Sequence, residues 1–204
     1  GQAGTYYRSN GNAHGANLSL TAAGEKLSMT YSGSFAESDN YRAGGDFKAA
    51  GIAAPGRGWL SGDEVGSSRY ENQNHALKFA LQQENHLLSL QLDYQDIPYQ
   101  GFPNQRMDMT DNKSRRINLG YEGQYHWGDL VARVYHDKTE HEMNFGDDKR
   151  FWYGAGGTVP GMPVETEADN SGLLLRADIA LSARDTLKVG GELQQYRLDD
   201  LWPP

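Results

Sequence analysis

Five side chains with sulfur or imidazole groups could bind a soft metal ion. His141 and Met143 are spaced H-x-M, Met107 and Met109 are spaced M-x-M, and Met162 stands alone. A thioether selects copper(I), and an imidazole binds copper in either oxidation state. Residues two apart on one strand face lie roughly 6.5 to 7 Å apart, so the H-x-M pair can converge on one ion. If these side chains bind a metal, copper, as Cu(I) or Cu(II), is the ion that they would select, although two ligands alone do not make a tight site.

These side chains also have an ordinary explanation. A histidine and a methionine two residues apart occur in many strands that bind nothing. Met107 and Met109 could cap a loop, and Met162 could pack a turn between Pro160 and Pro163. Spacing alone therefore leaves the metal role as a hypothesis.

Residues for catalysis are not arranged in a motif that directs a reaction. There is no G-x-S-x-G, and serine, histidine and aspartate are scattered. Asp108, Asp111, Asp147 and Asp148 lack the spacing of a calcium loop and are expected to be solvated loop residues. The net charge of −8 disfavours nucleic acid as a partner, and it fits either a lumen that admits cations or plain solubility. We expect no enzymatic activity.

Alternation of apolar and polar residues indicates the elements that would position the H-x-M pair. Leu88, Leu90 and Leu92 alternate with polar residues, and this period of two is typical of strands. The same period recurs near residues 26–38, 116–125, 130–137, 173–181 and 187–194.

The connections between these runs also alternate in length. Tight turns are predicted at 22–25, 83–86, 126–129 and 182–185. Long loops rich in glycine, proline and aspartate are predicted near 40–69, 98–112 and 146–168. A first strand at 5–8 would lead into a short hairpin at 9–15. The pattern predicts an all-β antiparallel meander of about eight or nine long strands.

Composition favours a closed barrel in a membrane. Only 37% of residues are hydrophobic and the mean hydropathy is −0.75, which is lean for a buried core. No run of 18 apolar residues is present, so amphipathic strands in a closed barrel are the remaining way to cross a bilayer. Short turns that alternate with long loops are typical of bacterial outer-membrane barrels. A soluble β-sandwich is the alternative.

An odd strand count cannot complete a bacterial single-chain barrel. We therefore expect residues 1–204 to be part of a larger barrel, and the absence of an initial methionine fits an internal or processed segment. Open sheet edges would then need a partner, for example through self-association.

Strand parity predicts where the H-x-M pair faces. Arg133, Tyr135 and Asp137 are polar and alternate with apolar neighbours. Extending that alternation puts His141 and Met143 on the same face, toward the lumen and near the loop end of the strand.

Several stretches together resemble the early barrel of the TonB-dependent copper receptors. The likeness spans essentially the whole chain, and its last stretch is rather specific. The stretches are YRSNGN at 7–12, SDNY at 38–41, PYQGFPNQRMDM at 98–109, HEMNF at 141–145, GMPVET at 161–166 and YRLDDLWPP at 196–204.

The resemblance implies a location, partners and a metal site. It implies a 22-stranded barrel in the bacterial outer membrane, contacting lipid, closed by an N-terminal plug and driven by the TonB complex through that plug. The family joins a C-x-x-x-M pair of the plug to an H-x-M pair of the barrel, which matches His141 and Met143 here. Met107, Met109 and Met162 would be accessory capture sites for copper, the transported ligand.

The chain also departs from that family. We expect residues 1–204 to include no plug; they contain no cysteine, and Met162-Pro163-Val164 stands where relatives often carry M-P-M. The first alternative keeps the fold and changes the cargo to an iron-siderophore or cobalamin-like complex. Aromatic and basic loop residues would hold that complex, namely Arg57, Trp59, Arg150, Phe151, Trp152 and Tyr153. The second alternative is an outer-membrane enzyme or adhesin.

Overall fold

Nine long strands form one antiparallel sheet in the computed structural model, which describes residues 1–55 and 57–202. Each strand pairs with the next long strand along the chain, so the sheet is a meander and the predicted fold class is confirmed. Among the described residues, no helix is long and apolar enough to cross a membrane. The nine strands are β1 (Gln2–Arg8), β2 (Ala13–Ala23), β3 (Leu27–Ser38), β6 (Tyr70–Gln83), β7 (His86–Gln100), β8 (Asp108–Tyr125), β9 (Gly128–Asn144), β10 (Val164–Ala180) and β11 (Thr186–Leu201).

A second, very small sheet lies inside the first long loop. It pairs β4 (Gly51–Ile52) with β5 (Trp59–Leu60). A β-sandwich needs a second sheet large enough to cover the apolar face of the first. Two strands of two residues do not provide one, so the described part of the chain does not form a sandwich.

Alternation gives the large sheet one apolar and one polar face. Leu90, Leu119 and Val134 lie directly opposite one another on β7, β8 and β9. Leu173 and Leu193 continue the row on β10 and β11. Leu119, Val134 and Leu193 are exposed, with 50% of Val134 and 74% of Leu193 accessible, and Leu90 and Leu173 are half-buried. The apolar face is therefore the outside of the sheet and not a core.

The polar face carries a groove of about 490 Å³. Its lining includes Ser34, Asn74, Asp93, Gln95 and Arg116, which come from four adjacent strands.

Ring stacks bound the apolar band at both ends. Toward the long loops, the ring of His75 stacks between Tyr31 and Tyr94, at centroid distances of 6.1 and 6.4 Å. Toward the short turns, the rings of His86 and Tyr121 stack at 6.0 Å. On β7, His86 and Tyr94 are eight residues apart, which is about 26 Å along a strand. We call the end with the long loops the loop side and the other end the turn side.

The loops differ from the predicted bounds, most of all the second. The strands leave long connections at 39–69, 101–107 and 145–163. The predicted loop near 98–112 is therefore too long, because β7 continues to Gln100 and β8 already begins at Asp108. The first hairpin is tighter than predicted, since β1 spans Gln2–Arg8 and β2 begins at Ala13.

Register shifts explain why alternation failed near the second loop. The β6–β7 register shifts between Glu71 and Gln73, and the β8–β9 register shifts between Met109 and Asp111. A β-bulge adds one unpaired residue and so breaks the period of two. A prediction based on alternation therefore ends β7 too early and begins β8 too late.

Candidate metal-binding site

His141 and Met143 lie at the loop-side end of β9, on the polar face. The pairing of β9 with β8 sets His141 opposite Asn112, two pairs beyond the Thr139 and Ser114 pair. Thr139 and Ser114 are joined by a hydroxyl hydrogen bond of 2.9 Å. The predicted face of the H-x-M pair is confirmed, and its role as a ligand pair stays a prediction.

Met109 lies in β8 and not in the loop where it was predicted. The strand register sets Met109 directly opposite Met143. Side chains directly opposite in an antiparallel pair have their Cβ atoms about 4.5 to 5.5 Å apart. The structure therefore brings three of the five predicted side chains to one place, namely His141, Met143 and Met109.

The other two methionines lie apart from this group. Met107 is half-buried in the loop 101–107, and Met162 is 60% exposed in the loop 145–163. Neither belongs to a strand, so no sheet register sets either beside His141.

An amide holds the imidazole of His141. Nδ1 of His141 lies 3.1 Å from Oδ1 of Asn112. An amide oxygen only accepts, so Nδ1 carries the proton and Nε2 keeps a free lone pair. Asn112 in turn donates from Nδ2 to Gln95, at 3.4 Å, which fixes the orientation of its amide. Asn112 was missed from the sequence because the pattern of one strand does not show which residue of the neighbouring strand lies opposite His141.

Carboxylates do not gather into a metal site among the described residues. No group of three or more histidine, aspartate and glutamate side chains there is placed to hold a metal ion. On the other side of His141, the register sets Thr166, whose hydroxyl donates to Asp200 at 2.8 Å. A metal site in this part of the chain would therefore depend on thioether and imidazole groups.

Asp108, the residue before Met109, is completely buried. Its carboxylate accepts hydrogen bonds from the Ser67 hydroxyl (2.8 Å), the Tyr99 hydroxyl (2.6 Å) and the Phe102 backbone N–H (2.8 Å). The ammonium group of Lys149 lies 3.4 Å away. The prediction that Asp108 is a solvated loop residue is wrong, because residues from all three long loops or their margins enclose it.

A second aspartate joins the same loops. Oδ2 of Asp148 accepts from the Ser67 backbone N–H and from the Asn40 amide, both at 2.9 Å. Lys149 donates to the carbonyl oxygens of Phe102 and Gln105 at 2.6 and 2.8 Å. The loops 39–69, 101–107 and 145–163 are thus tied to one another beside Met109.

Tyr99 takes part in this network at the loop-side end of β7, beyond the apolar band. Burial, and then the hydrogen bond to Asp108, raise the pKa of Tyr99 to about 12. Its hydroxyl is therefore a permanent donor at physiological pH.

An aromatic cluster in the third long loop meets an arginine from each of the other two long loops. The ring of Phe145 lies 5.3 Å from that of Phe151 and 5.9 Å from that of Tyr153. The guanidinium of Arg57 lies 5.8 Å from the Phe151 ring, and that of Arg106 lies 4.1 Å from the Tyr153 ring. Arginine and aromatic side chains placed together in this way would suit a ligand that is aromatic and negatively charged.

The chain resembles known proteins in its fold rather than in its sequence. No family model matches the chain, and no curated protein matches it in sequence. Several solved structures match with high probability.

The matching structures are large bacterial transporters. The copper transporter OprC matches with a TM-score of 0.69 and 18% identity, over 98% of this chain and 28% of that one. The FrpB iron transporter from Neisseria meningitidis matches with a TM-score of 0.65 and 16% identity, over 93% and 30%. A mutant of the ferric enterobactin receptor PfeA from Pseudomonas aeruginosa matches with a TM-score of 0.55 and 15% identity, over 97% and 30%.

These likenesses show the fold. The nine-stranded meander has the fold of a segment of such a transporter, and the chain spans less than a third of each of these structures.

Proposed function

We propose that this chain forms part of the wall of a TonB-dependent receptor that binds and imports copper across the bacterial outer membrane. The observation that carries the proposal is the H-x-M pair, which faces the polar side of the sheet with the Nε2 of His141 free. The likeness to both copper and iron transporters supports the general class.

The dimensions of the sheet support the location. Outer-membrane barrels carry an apolar band about 25 Å tall between two aromatic girdles. The band between His86 and Tyr94 is about 26 Å along the strand, which is roughly 20 Å in height for a strand tilted by about 40°, and it has rings at both ends. Strands β7 to β11 have 15 to 18 residues, more than the roughly 9 to 11 that cross a bilayer. The additional strand residues would extend beyond the membrane on the loop side, and they would include the H-x-M pair.

In this proposal the chain supplies half of the copper site. His141 would bind through Nε2 and Met143 through its thioether, while Met107 and Met162 would capture copper weakly on the loops. The remaining ligands would come from a plug, which would also contact the TonB complex. Copper is the cargo here, so the site must release the ion as well as bind it.

A ferric chelate is the second candidate cargo, and the aromatic cluster with arginines favours it. Arg57, Arg106, Phe151 and Tyr153 make contacts suited to an anionic aromatic chelate. Trp59 and Trp152 are 69% and 52% exposed, so they are accessible to a ligand. The iron transporter and the ferric enterobactin receptor match the fold as well. An enzyme or an adhesin has no comparable support, because the matching structures are transporters and receptors.

Metal content of the intact gene product tests the choice between the two cargoes. The protein would be purified in detergent after exposure to copper, beside His141→Ala/Met143→Ala. The control is His136→Ala, on the same strand but on the opposite face. We expect near-stoichiometric copper in the native protein and in the control, and loss in the double variant. If all three proteins lack copper and bind a ferric catecholate, the copper proposal is wrong and the second candidate replaces it.

A further inference from the structure

We propose that Met109 is a direct copper ligand, so that the barrel wall offers one imidazole and two thioethers that together favour Cu(I) over Cu(II). This inference rests on the proposed function and deepens it, since it names a third ligand and the oxidation state of the cargo. It is carried by the strand register and the contacts of the residues around Met109.

The bulge in β8 is what turns Met109 toward His141. Asp111 pairs with Glu142, on the face opposite His141 and Met143. The hydroxyl of Thr110 donates to Glu142 at 3.0 Å, so Thr110 points to that opposite face too. In a regular strand Met109 would share the face of Asp111, but the extra residue reverses it and sets Met109 opposite Met143.

The second neighbouring strand agrees with this placement. Met109 pairs with Gln100 of β7, and Gln100 pairs with Tyr70 of β6. Tyr70 pairs with Ser38, and its hydroxyl lies 3.3 Å from that of Tyr6, on the polar face. The pairing of β8 with β7 and the pairing of β8 with β9 therefore both place Met109 on the polar face.

The backbone of Met109 is anchored from both directions. Asp108 precedes it and is held by the buried contacts to Ser67, Tyr99, Phe102 and Lys149. Thr110 follows it and is held by Glu142. Ligands on rigid, supported elements keep their geometry without reordering when an ion arrives, which favours tight binding.

The three proposed ligands, His141, Met143 and Met109, favour a soft metal ion. Two neutral thioethers and one imidazole suit Cu(I), whereas Cu(II) prefers nitrogen and oxygen ligands in a square arrangement. The side chains that the register sets on either side of His141 are the neutral Asn112 and Thr166. The nearby carboxylates of Glu142 and Asp111 lie on the other face.

Two variants of the intact gene product test the role of Met109. Met109→Leu keeps the volume and removes the sulfur. Met109→Thr/Thr110→Met keeps the composition and moves the thioether to the opposite face. The matched control is Met29→Leu, at an exposed methionine of β3 that has no part in the proposed site. Binding of Cu(I), of Ag(I) as a redox-inert probe, and of Cu(II) would be measured by competition with chelators. X-ray absorption would count the sulfur ligands.

We expect both Met109 variants to lose one sulfur ligand and about tenfold or more in Cu(I) and Ag(I) affinity, with a smaller change for Cu(II). Met29→Leu should match the native protein. The proposal is overturned if Met109→Leu keeps its sulfur count and Cu(I) affinity while His141→Ala/Met143→Ala loses copper; the proposed function then stands without Met109. Equal losses in Met109→Leu and Met29→Leu would also overturn it. A native protein that binds no copper would instead overturn the proposed function itself.

Discussion

His141 can bind a metal only through the ring nitrogen that its neighbour leaves free. The Asn112 amide oxygen accepts from Nδ1, so the free lone pair is on Nε2. The same pattern, a ring N–H directed to an oxygen acceptor, orients metal-binding histidines in general.

Asn112 should therefore tune copper binding without touching the ion. We expect Asn112→Leu to weaken copper binding by about tenfold, because the tautomer and the ring orientation are no longer fixed. Asn112→Asp should retain native affinity, because a carboxylate still accepts from Nδ1. The control is Asn170→Leu, an amide of the same face that contacts Asp137 and Gln194. Copper competition titrations measure the effect, and equal affinity in Asn112→Leu and Asn170→Leu would contradict it.

Asp108 and Lys149 form a buried pair whose partners depend on each other. The side chain of Lys149 is 9% exposed and that of Asp108 is 0% exposed. Removing one partner of such a pair leaves a buried charge uncompensated, which costs about 3 to 5 kcal/mol.

We expect Asp108→Asn to loosen the three loops and lower thermal stability, and Asp108→Asn/Lys149→Met to recover part of the loss. The solvent-exposed Asp46→Asn serves as the control, with little effect expected. Limited proteolysis of the folded protein in detergent reports the loops directly. A double variant as unstable as Asp108→Asn would show that the hydrogen bonds from Ser67, Tyr99 and Phe102, and not the charge of Lys149, dominate.

At the scale of elements, alternation predicted six of the nine long strands, namely β3 and β7 to β11. The row of Leu90, Leu119 and Val134 follows from a period of two alone, because each residue faces its partner without a shift. The position of Met109 could not be predicted in this way. A bulge is defined by which residues pair across two strands, and that information is not contained in the pattern of one strand.

The buried state of Asp108 was unpredictable for a related reason. Its partners Ser67 and Lys149 are 41 residues away on either side, in two different loops. Local composition near Asp108 is polar and rich in glycine and proline, which indicates a solvated loop. Only the meander brings those loops to the same end of the sheet.

The two faces of β8 should respond differently to the same charge. Leu119 lies on the apolar face, and its neighbour Asn118 lies on the polar face, where its amide accepts from Arg133. We expect Leu119→Arg to destabilise the folded protein in a membrane by about 2 to 4 kcal/mol, as for an arginine at the lipid midplane. Asn118→Arg should fold nearly as well as the native protein. Folding yield into vesicles of outer-membrane lipid measures both, and equal yields would contradict the assignment of the outer face.

For the whole molecule, the unpaired edges of the sheet determine whether the chain associates with other chains. β1 and β11 lie at its two edges, and the 16 residues of β11 are exposed throughout. A long edge strand presents a row of free N–H and C=O groups that can pair with another chain. In a membrane, backbone groups without a hydrogen bond raise the free energy of the protein by several kcal/mol each. We therefore expect an open sheet of this size to close or to associate.

We therefore expect residues 1–204, produced alone and refolded in detergent, to self-associate, whereas the intact gene product should be monomeric because its strands close the barrel. Light scattering coupled to size-exclusion chromatography gives the mass of each, and circular dichroism confirms that both hold a similar share of strand. A monomeric chain with full strand content would mean that β1 and β11 pair with each other, so that nine strands close by themselves. That result would contradict the proposal that the chain is part of a 22-stranded wall, and it would leave the arrangement of His141, Met143 and Met109 on one face unchanged.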